Sequence, residues 1–503
     1  MKKILSFLMA IVLVISLAGC TSASTDASGV KIVADDEISA RVENSVLYVS
    51  CPDNMQIDDI TVDGRRVWLS DGKYAIPNEN QPEKIVIEAD DIEISKGETK
   101  ISSVLLSLYD SGTNSYSVTW HTGEKNHSDV LLECLGDSEK KEITPYCDVG
   151  NDDYVNRAVF YGLKYGCEYK YTILNSDGSE NYSATFSTED ENPKEITFMH
   201  ISDTQDEEYN GEVWKQLMDY MYSSGDSPDF ILHTGDMVQY GGDEKLWQQM
   251  LGNVENYVSS VPTMLTSGNH SYWSDYTNGA SSIEYNHTTV NLPEQDTENG
   301  IYYSFDYGDV HFTVLSSGDS SRTGVGSKQR KWIENDLAST DKKWKIVAIH
   351  NPLYSPGKYG SSSDRNQVAL SLQKKLGSIF NEYNVDLVLE GHDHAFALTK
   401  PIDENSHPIA FETDTREYNS ATAEYFVAPD APIYLMSAAG GSQNREVVDT
   451  YDPSLYVTAQ PIEDYNAGYS VITVTENTLT STFYKYNYKS GTLTAQYSWG
   501  IEK

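Results

Sequence analysis

Apolar and polar positions along this chain follow two rhythms. From Asp36 to Ile94 the period is two, as in Ser45-Val46-Leu47-Tyr48-Val49 and Lys84-Ile85-Val86-Ile87, broken by the turn pairs Asp63-Gly64 and Asp71-Gly72. Such alternation predicts half-buried strands, and so a small β-domain over residues 35–94. Ile101 to Thr188 continues in strand-like runs, among them Tyr116-Ser117-Val118-Thr119-Trp120. Short strands separated by Gly, Asn, Asp and Ser, with one Trp to bury, predict an immunoglobulin-like sandwich over residues 95–189. After the linker Asp190-Glu191-Asn192-Pro193 the rhythm changes. Val213, Leu217 and Met221 recur at helical spacing, as do Trp247, Met250 and Val254, and Val368, Leu372, Leu376 and Ile379. These stripes read as core. Apolar strand-like runs lie between them, and later ones start at Ile433, Tyr469 and Leu479. Strands alternating with helices predict an α/β domain over residues 194–503.

Five apolar runs in that domain end in the same kind of residue. Phe230-Ile231-Leu232-His233-Thr234-Gly235 leads into Asp236, and Ile196 to Ser202 leads into Asp203-Thr204-Gln205. Val261 to Ser267 leads into Gly268-Asn269-His270, Trp344 to Ile349 into His350, and Val385 to Glu390 into Gly391-His392-Asp393-His394. One Gly-Asp after a strand is ordinary turn or capping chemistry. Five strand ends in series would deliver carboxylate, amide oxygen and imidazole to one sheet edge, where open α/β sheets bind ligands. That donor set suits borderline divalent metals.

The ordered series Asp-x-Gln, Gly-Asp, Gly-Asn-His, His and Gly-His-x-His resembles the calcineurin-like metallophosphoesterases, in particular the purple acid phosphatase branch. The resemblance runs from Ile196 to about Thr473 and includes the connecting stretch Tyr302 to Phe312. It implies two mixed sheets flanked by helices, behind a fibronectin type III-like domain. It also implies two metal ions, divalent or mixed-valence Fe, Mn or Zn, and no organic cofactor. Asp236 would bridge them. Asp203 and His394 would complete one site, with Gln205 as a further candidate ligand, and Asn269, His350 and His392 the other. Two cations about 3.5–4 Å apart clamp the oxygens of an in-line displacement and lower the pKa of a water between them. His270 would face the substrate and protonate the leaving oxygen or hold the phosphoryl group. Three positions depart from the branch. Gln239 stands where purple enzymes carry a tyrosinate ligand, with Tyr240 one residue later. Gln205 stands where the wider family has His and the purple enzymes Gly. Ser271 replaces an acidic residue that would tune His270.

The first residues add a compartment. Lys2 and Lys3, an apolar run from Ile4 to Leu17 and then Leu17-Ala18-Gly19-Cys20 read as a secretory leader over Met1–Gly19. The run is shorter than the roughly 20 residues a membrane span needs. Its ending resembles a bacterial lipoprotein box, which makes Cys20 the lipidated residue and residues 20–34 a flexible tether on an extracellular or periplasmic membrane face. With 76 acidic against 36 basic residues, a formal charge of −40, the surface repels nucleic-acid backbones. A nucleic-acid partner is therefore not expected, and no protein partner is indicated. Cys134, Cys147 and Cys167 fall in one predicted β-domain, where one disulfide and buried free thiols are both open.

Among the other histidines, His200, His233 and His311 lie in apolar strands and read as satisfied core groups. His121 and His127 read as surface residues, and His287 and His407 as loop residues without a role. Specificity is expected from three loops. Ser271–Gly300 carries Trp273, Tyr276 and Tyr285; Leu353–Arg365 carries Tyr354, Tyr359 and Arg365; Asp414–Asp430 carries Arg416 and Tyr418. The expected protein is an exported, lipid-anchored phosphoesterase for small phosphomonoesters. Phosphodiester or nucleotide cleavage is the alternative, and a non-catalytic surface-binding lipoprotein is the reading from another class.

Overall fold

The computed structural model describes residues 99–503 apart from 125–128, 138–139, 150–152, 207–210, 224–227, 273–286, 291–301, 318–324, 361–366 and 419–420; before residue 99 it describes strands between 21 and 91. The leader, Cys20, Cys51, His127, Trp273, Tyr276, Tyr285 and Arg365 lie outside the described residues. No described helix is long and apolar enough to cross a membrane.

Residues 1–67 and 72–93 form one compact unit. Its strands make a five-stranded sheet and a three-stranded sheet. Thr21–Thr25, expected in the tether, instead pairs antiparallel with Lys31–Asp35. The stretch reads Thr-Ser-Ala-Ser-Thr, and β-branched Thr suits an extended, paired backbone.

Residues 94–503 belong to the second unit. It opens with two four-stranded antiparallel sheets. Trp120 is fully buried between elements of this region, and aromatic rings from both sheets meet, as where Phe160 lies 6.0 Å from both Tyr171 and Phe186. No disulfide joins Cys134, Cys147 and Cys167. Buried hydrogen bonds tie these sheets to the C-terminal part of the same unit. Ser107 Oγ donates to the Thr263 carbonyl (3.2 Å), Tyr171 Oη to that of Ser259 (2.9 Å), and Thr119 Oγ1 meets Thr289 Oγ1 at 2.8 Å. Buried polar contacts of this kind fix register, because an unmatched partner would be left without water.

The rest is two mixed sheets. One runs Thr263–Leu265, Phe230–His233, Glu195–Ile201, Asn466–Thr475, Thr478–Asn487, Thr492–Glu502, Ala421–Val427 and Glu412–Tyr418. The other runs Tyr303–Tyr307, Val310–Leu315, Trp344–Ile349, Leu387–Glu390, Ile433–Ser437, Phe396–Thr399 and Tyr456–Gln460. They share one apolar core, with Phe198 against Phe312 at 5.2 Å and Phe396 on Phe483 at 4.1 Å. The five metal-type strand ends therefore come from two facing sheets, three from the first and two from the second, and not from one sheet edge. Within each sheet these strands are parallel neighbours, which sends their C-terminal ends the same way.

The three helical stripes fold as helices Glu212–Ser223, Glu244–Val258 and Gln367–Glu382. The second buries Trp247, Met250, Leu251, Val254 and Val258, each worth about 1.5–3 kcal/mol for the larger side chains. A fourth helix, Ser327–Ser339, has a weaker stripe and buries Ile333 and Leu337. Asp414–Asp430 is no loop but mostly the hairpin Glu412–Tyr418 and Ala421–Val427.

Candidate metal centre

The site forms where strands stop and the backbone turns. Asp203, Asp236, His392 and His394 all take positive φ, at 53°, 54°, 74° and 50°. Side chains disfavour this region, and such strain clusters at functional sites. The neighbouring glycines exist for close approach. A Cβ on Gly268 would land on the Asp236 carboxylate and 2.5 Å from its backbone nitrogen. One on Gly391 would strike Ser202 Oγ and lie 3.0 Å from Asp203 Oδ2.

Asp236 sits at the centre. Its Oδ2 lies 3.0 Å from His350 Nε2 and 3.8 Å from His270 Nε2, and its Oδ1 accepts from the His270 backbone N–H at 2.8 Å. His350 Nε2 also lies 3.2 Å from Asn269 Oδ1 and 3.2 Å from His392 Nδ1. Asp236, His350 and His392 thus converge, one ligand atom from each within 4.8 Å of the others. His394 Nε2 lies 3.1 Å from Asp203 Oδ1, and Asp203 Oδ2 accepts from the His392 backbone N–H at 2.9 Å. Orientation is fixed from behind. His350 Nδ1 donates to the Thr234 carbonyl at 2.8 Å, His394 Nδ1 meets the Gln443 carbonyl, and His270 Nδ1 donates to the Gln239 carbonyl at 2.8 Å. A proton held at Nδ1 turns each Nε2 toward the centre.

Electrostatics agree with this geometry. Burial works to raise the Asp203 and Asp236 pKa values, yet the imidazoles of His394 and His350 hold both carboxyls well below their usual range. Burial alone would lower His350, but Asp236 raises it to about 9. His392 goes the other way, depressed by burial and by His350. Residues 196–396 match the calcineurin-like phosphoesterase family.

Purple acid phosphatase 23 of Arabidopsis thaliana is 29% identical over 204 residues, 40% of this chain and 38% of that protein. Purple acid phosphatase 21 of the same plant is 30% identical over 225 residues, 43% and 44% of the two chains. A nucleotide pyrophosphatase/phosphodiesterase of Hordeum vulgare is 26% identical over 266 residues, 49% and 66%. The match thus spans about two fifths of the purple acid phosphatases' own length. A solved structure, purple acid phosphatase PPD1 from yellow lupin (Lupinus luteus) seeds, has the same fold: TM-score 0.66 at 17% identity, covering 84% of this chain and 77% of that one.

The residues present fit two cations. Asp203 Oδ1, His394 Nε2 and both amide atoms of Gln205 are buried without a hydrogen-bond partner, although Asp203 and His394 lie close together. Buried donors and acceptors left like this are costly unless something else engages them. Gln205 is fully buried with its backbone N–H on the Asp236 carbonyl (3.2 Å), so it belongs to this centre. Gln239, at the position of the purple enzymes' tyrosine, accepts through Oε1 from Gln443 at 3.1 Å, and Tyr240 is 42% exposed.

The remaining expectations divide. His200 is held by Ser437 (2.8 Å) and Thr234 (3.0 Å), and His233 by Thr204 (2.9 Å), as satisfied core groups. His311 is clamped by Asp306 and Asp336. His407 is exposed. His121 is not on the surface: it is 1% exposed, and His287 is fully buried beside it. Arg416 is taken by Asp414 and Glu502, and Tyr418 Oη by Thr473 (3.2 Å), so neither lines the phosphoesterase site. Tyr354 packs into the core against Tyr434. Tyr359 does reach the site, its ring 4.3 Å from that of His392. Sequence reasoning missed Arg445. Its Nη1 donates to the His392 carbonyl at 2.7 Å and its guanidinium lies 5.4 Å from the Tyr359 ring. The signal was a sixth strand end, Ile433–Ser437 followed by Gly440-Gly441, where Gly440 and Gly441 donate to Ser202 and Asp203.

Proposed function

We propose that the protein is an exported two-metal phosphoesterase that hydrolyses small phosphomonoesters. The observation that carries the reading is the convergence of Asp236, His350 and His392, with Asp203 and His394 behind them. Asp236, Asn269, His350 and His392 would hold one cation, and Asp203, Gln205, Asp236 and His394 the other. When bound, the pair supplies positive charge to the phosphoryl oxygens and a nucleophile at neutral pH. The chain's own groups do the rest. His270, whose Nε2 lies 3.8 Å from Asp236 Oδ2 and whose ring the Gln239 carbonyl holds, would protonate the leaving oxygen. Arg445 and Lys358 flank Tyr359, two cations beside the ring that meets His392 in a strongly acidic chain. They would draw in an anionic ester, and Tyr359 offers an aromatic face to its leaving group.

That aromatic face, with the barley relative, also favours cleavage of nucleotides or phosphodiesters. The binding-lipoprotein reading has no such support, since the ligand residues are present and aligned. Export and anchoring through Cys20 rest on Leu17-Ala18-Gly19-Cys20, and the fibronectin-like reading of residues 95–189 on the paired antiparallel sheets.

The test is turnover of nitrophenyl phosphate, bis(nitrophenyl) phosphate and nucleotides by metal-loaded protein, beside Asp236→Asn. Monoester turnover that disappears together with bound metal in Asp236→Asn supports the reading. Preference for the diester or the nucleotide moves it to the second reading. No turnover by a fully loaded protein defeats both.

A further inference from the structure

A second cluster of ligand-type side chains lies apart from the Asp236 centre. His121 comes from strand Ser115–Thr122, Glu244 from the first turn of helix Glu244–Val258, and His287 from the segment before Val290. All three are buried, at 1%, 5% and 0% exposure. One ligand atom from each lies within 4.8 Å of the others. Glu244 Oε1 is 3.0 Å from His287 Nε2 and 3.5 Å from His121 Nδ1. The two imidazoles stack at 4.3 Å, and Trp247 stacks on His287 at 4.8 Å. Asp153 Oδ2 lies 2.7 Å from His121 Nδ1.

His287 is the decisive group. Neither of its ring nitrogens makes a hydrogen bond, although the Glu244 carboxylate is at contact distance, off the direction an N–H would take. A buried imidazole in that state calls for a partner. Burial, and then His121, push its pKa well below the usual value. Charge points the same way. Asp153 and Glu244 bring two carboxylates, and Arg157, buried on the neighbouring strand, brings one guanidinium. Two carboxylates against one guanidinium favour a cation among them.

We propose that His121, Glu244 and His287 form a third divalent-cation site, of the zinc class. Two imidazoles and a carboxylate are a zinc donor set, open at a fourth position. Asp153 Oδ2, beside His121 Nδ1, adds a second carboxylate next to the cluster. The ion ties the N-terminal sheets to the helix Glu244–Val258. That helix reaches the phosphoesterase site, because Trp247 Nε1 donates to the Gly241 carbonyl (3.0 Å) and Gly241 N–H to the His270 carbonyl (3.0 Å). The cation is therefore a structural pin behind the loop that seats His270.

The experiment is zinc content by mass spectrometry on the full mature chain after equilibration with Zn²⁺ and gel filtration. Wild type should retain one Zn²⁺ per chain more than Glu244→Gln, a volume-conserving change, and more than His287→Ala. Asp236→Ala with His392→Ala should lose zinc while keeping this ion, so its fate is separable from that of the catalytic centre. The wild type should gain thermal stability on adding Zn²⁺ to chelated protein, and Glu244→Gln should gain less. Equal zinc content in wild type and Glu244→Gln overturns the site, as does loss of every bound zinc when only Asp236 and His392 are changed.

Discussion

His270→Ala separates chemistry from metal binding. The His270 backbone N–H, not its ring, holds Asp236 Oδ1 at 2.8 Å, and that bond survives truncation. The ring itself stands 3.8 Å from Asp236 Oδ2 and is fixed through Nδ1 on the Gln239 carbonyl. Removing it should leave the ligand carboxylate oriented and the metals bound. It strips one partly buried carbonyl of its donor, a stability loss of about 1 kcal/mol. Catalysis should suffer more. A general acid is worth about 10²–10⁴-fold, or roughly 3–5 kcal/mol of barrier. The loss should be largest for alkyl phosphates and shrink to about tenfold or less for nitrophenyl phosphate, whose leaving group needs little protonation. The assay is kcat/KM across a leaving-group series, with metal content measured on the same samples. A uniform loss across the series would make His270 a phosphoryl-binding group. Metal lost in step with activity would refute the assignment and put His270 among the ligands.

Three other outcomes are expected. With Gln239 at the tyrosine position and Tyr240 42% exposed, the loaded protein should show no intense visible charge-transfer band; a purple preparation that bleaches in Tyr240→Phe would contradict this. Burial would depress His311, but its bonds to Asp306 and Asp336 outweigh burial and raise it to about 9. Its folded pKa thus exceeds the unfolded value of about 6.5, so its stabilisation is complete below that pH and fades as pH rises through about 9. Asp336→Asn should therefore cost about 2–3 kcal/mol in urea melts at pH 6 and clearly less at pH 10, and an equal cost at both would refute the pairing. Cys20→Ser should move the protein out of the membrane fraction or leave it unprocessed, whereas wild type found wholly soluble with an unmodified residue 20 would rule out the anchor.

Much of the Asp236 cluster was legible because its residues sit at strand ends. An apolar run followed by Gly-Asp, Gly-Asn-His or Gly-His-x-His is a local pattern, written within a few residues by period, length and turn chemistry. Helices Glu212–Ser223, Glu244–Val258 and Gln367–Glu382 were legible for the same reason, since a stripe repeats within one element. Helix Ser327–Ser339 escaped because its buried positions are few. The hairpin at Glu412–Tyr418 and Ala421–Val427 escaped because its first strand is largely exposed and lacks an apolar face.

The sequence by itself determined the ligand types, their order and the α/β rhythm that carries them. Tertiary structure alone decided which sheet each strand joined, and so that three ligand-bearing ends face two others across a sandwich. It decided that Arg445 backs His392, and that Arg416 is spent on Glu502. It turned His121 and His287, unremarkable as isolated letters, into stacked buried neighbours of Glu244. The physical reason is range. Periodicity and turn chemistry act over a few residues, whereas burial, charge pairing and ligand convergence join groups far apart in the chain, and are defined only once the sheets have closed on one core.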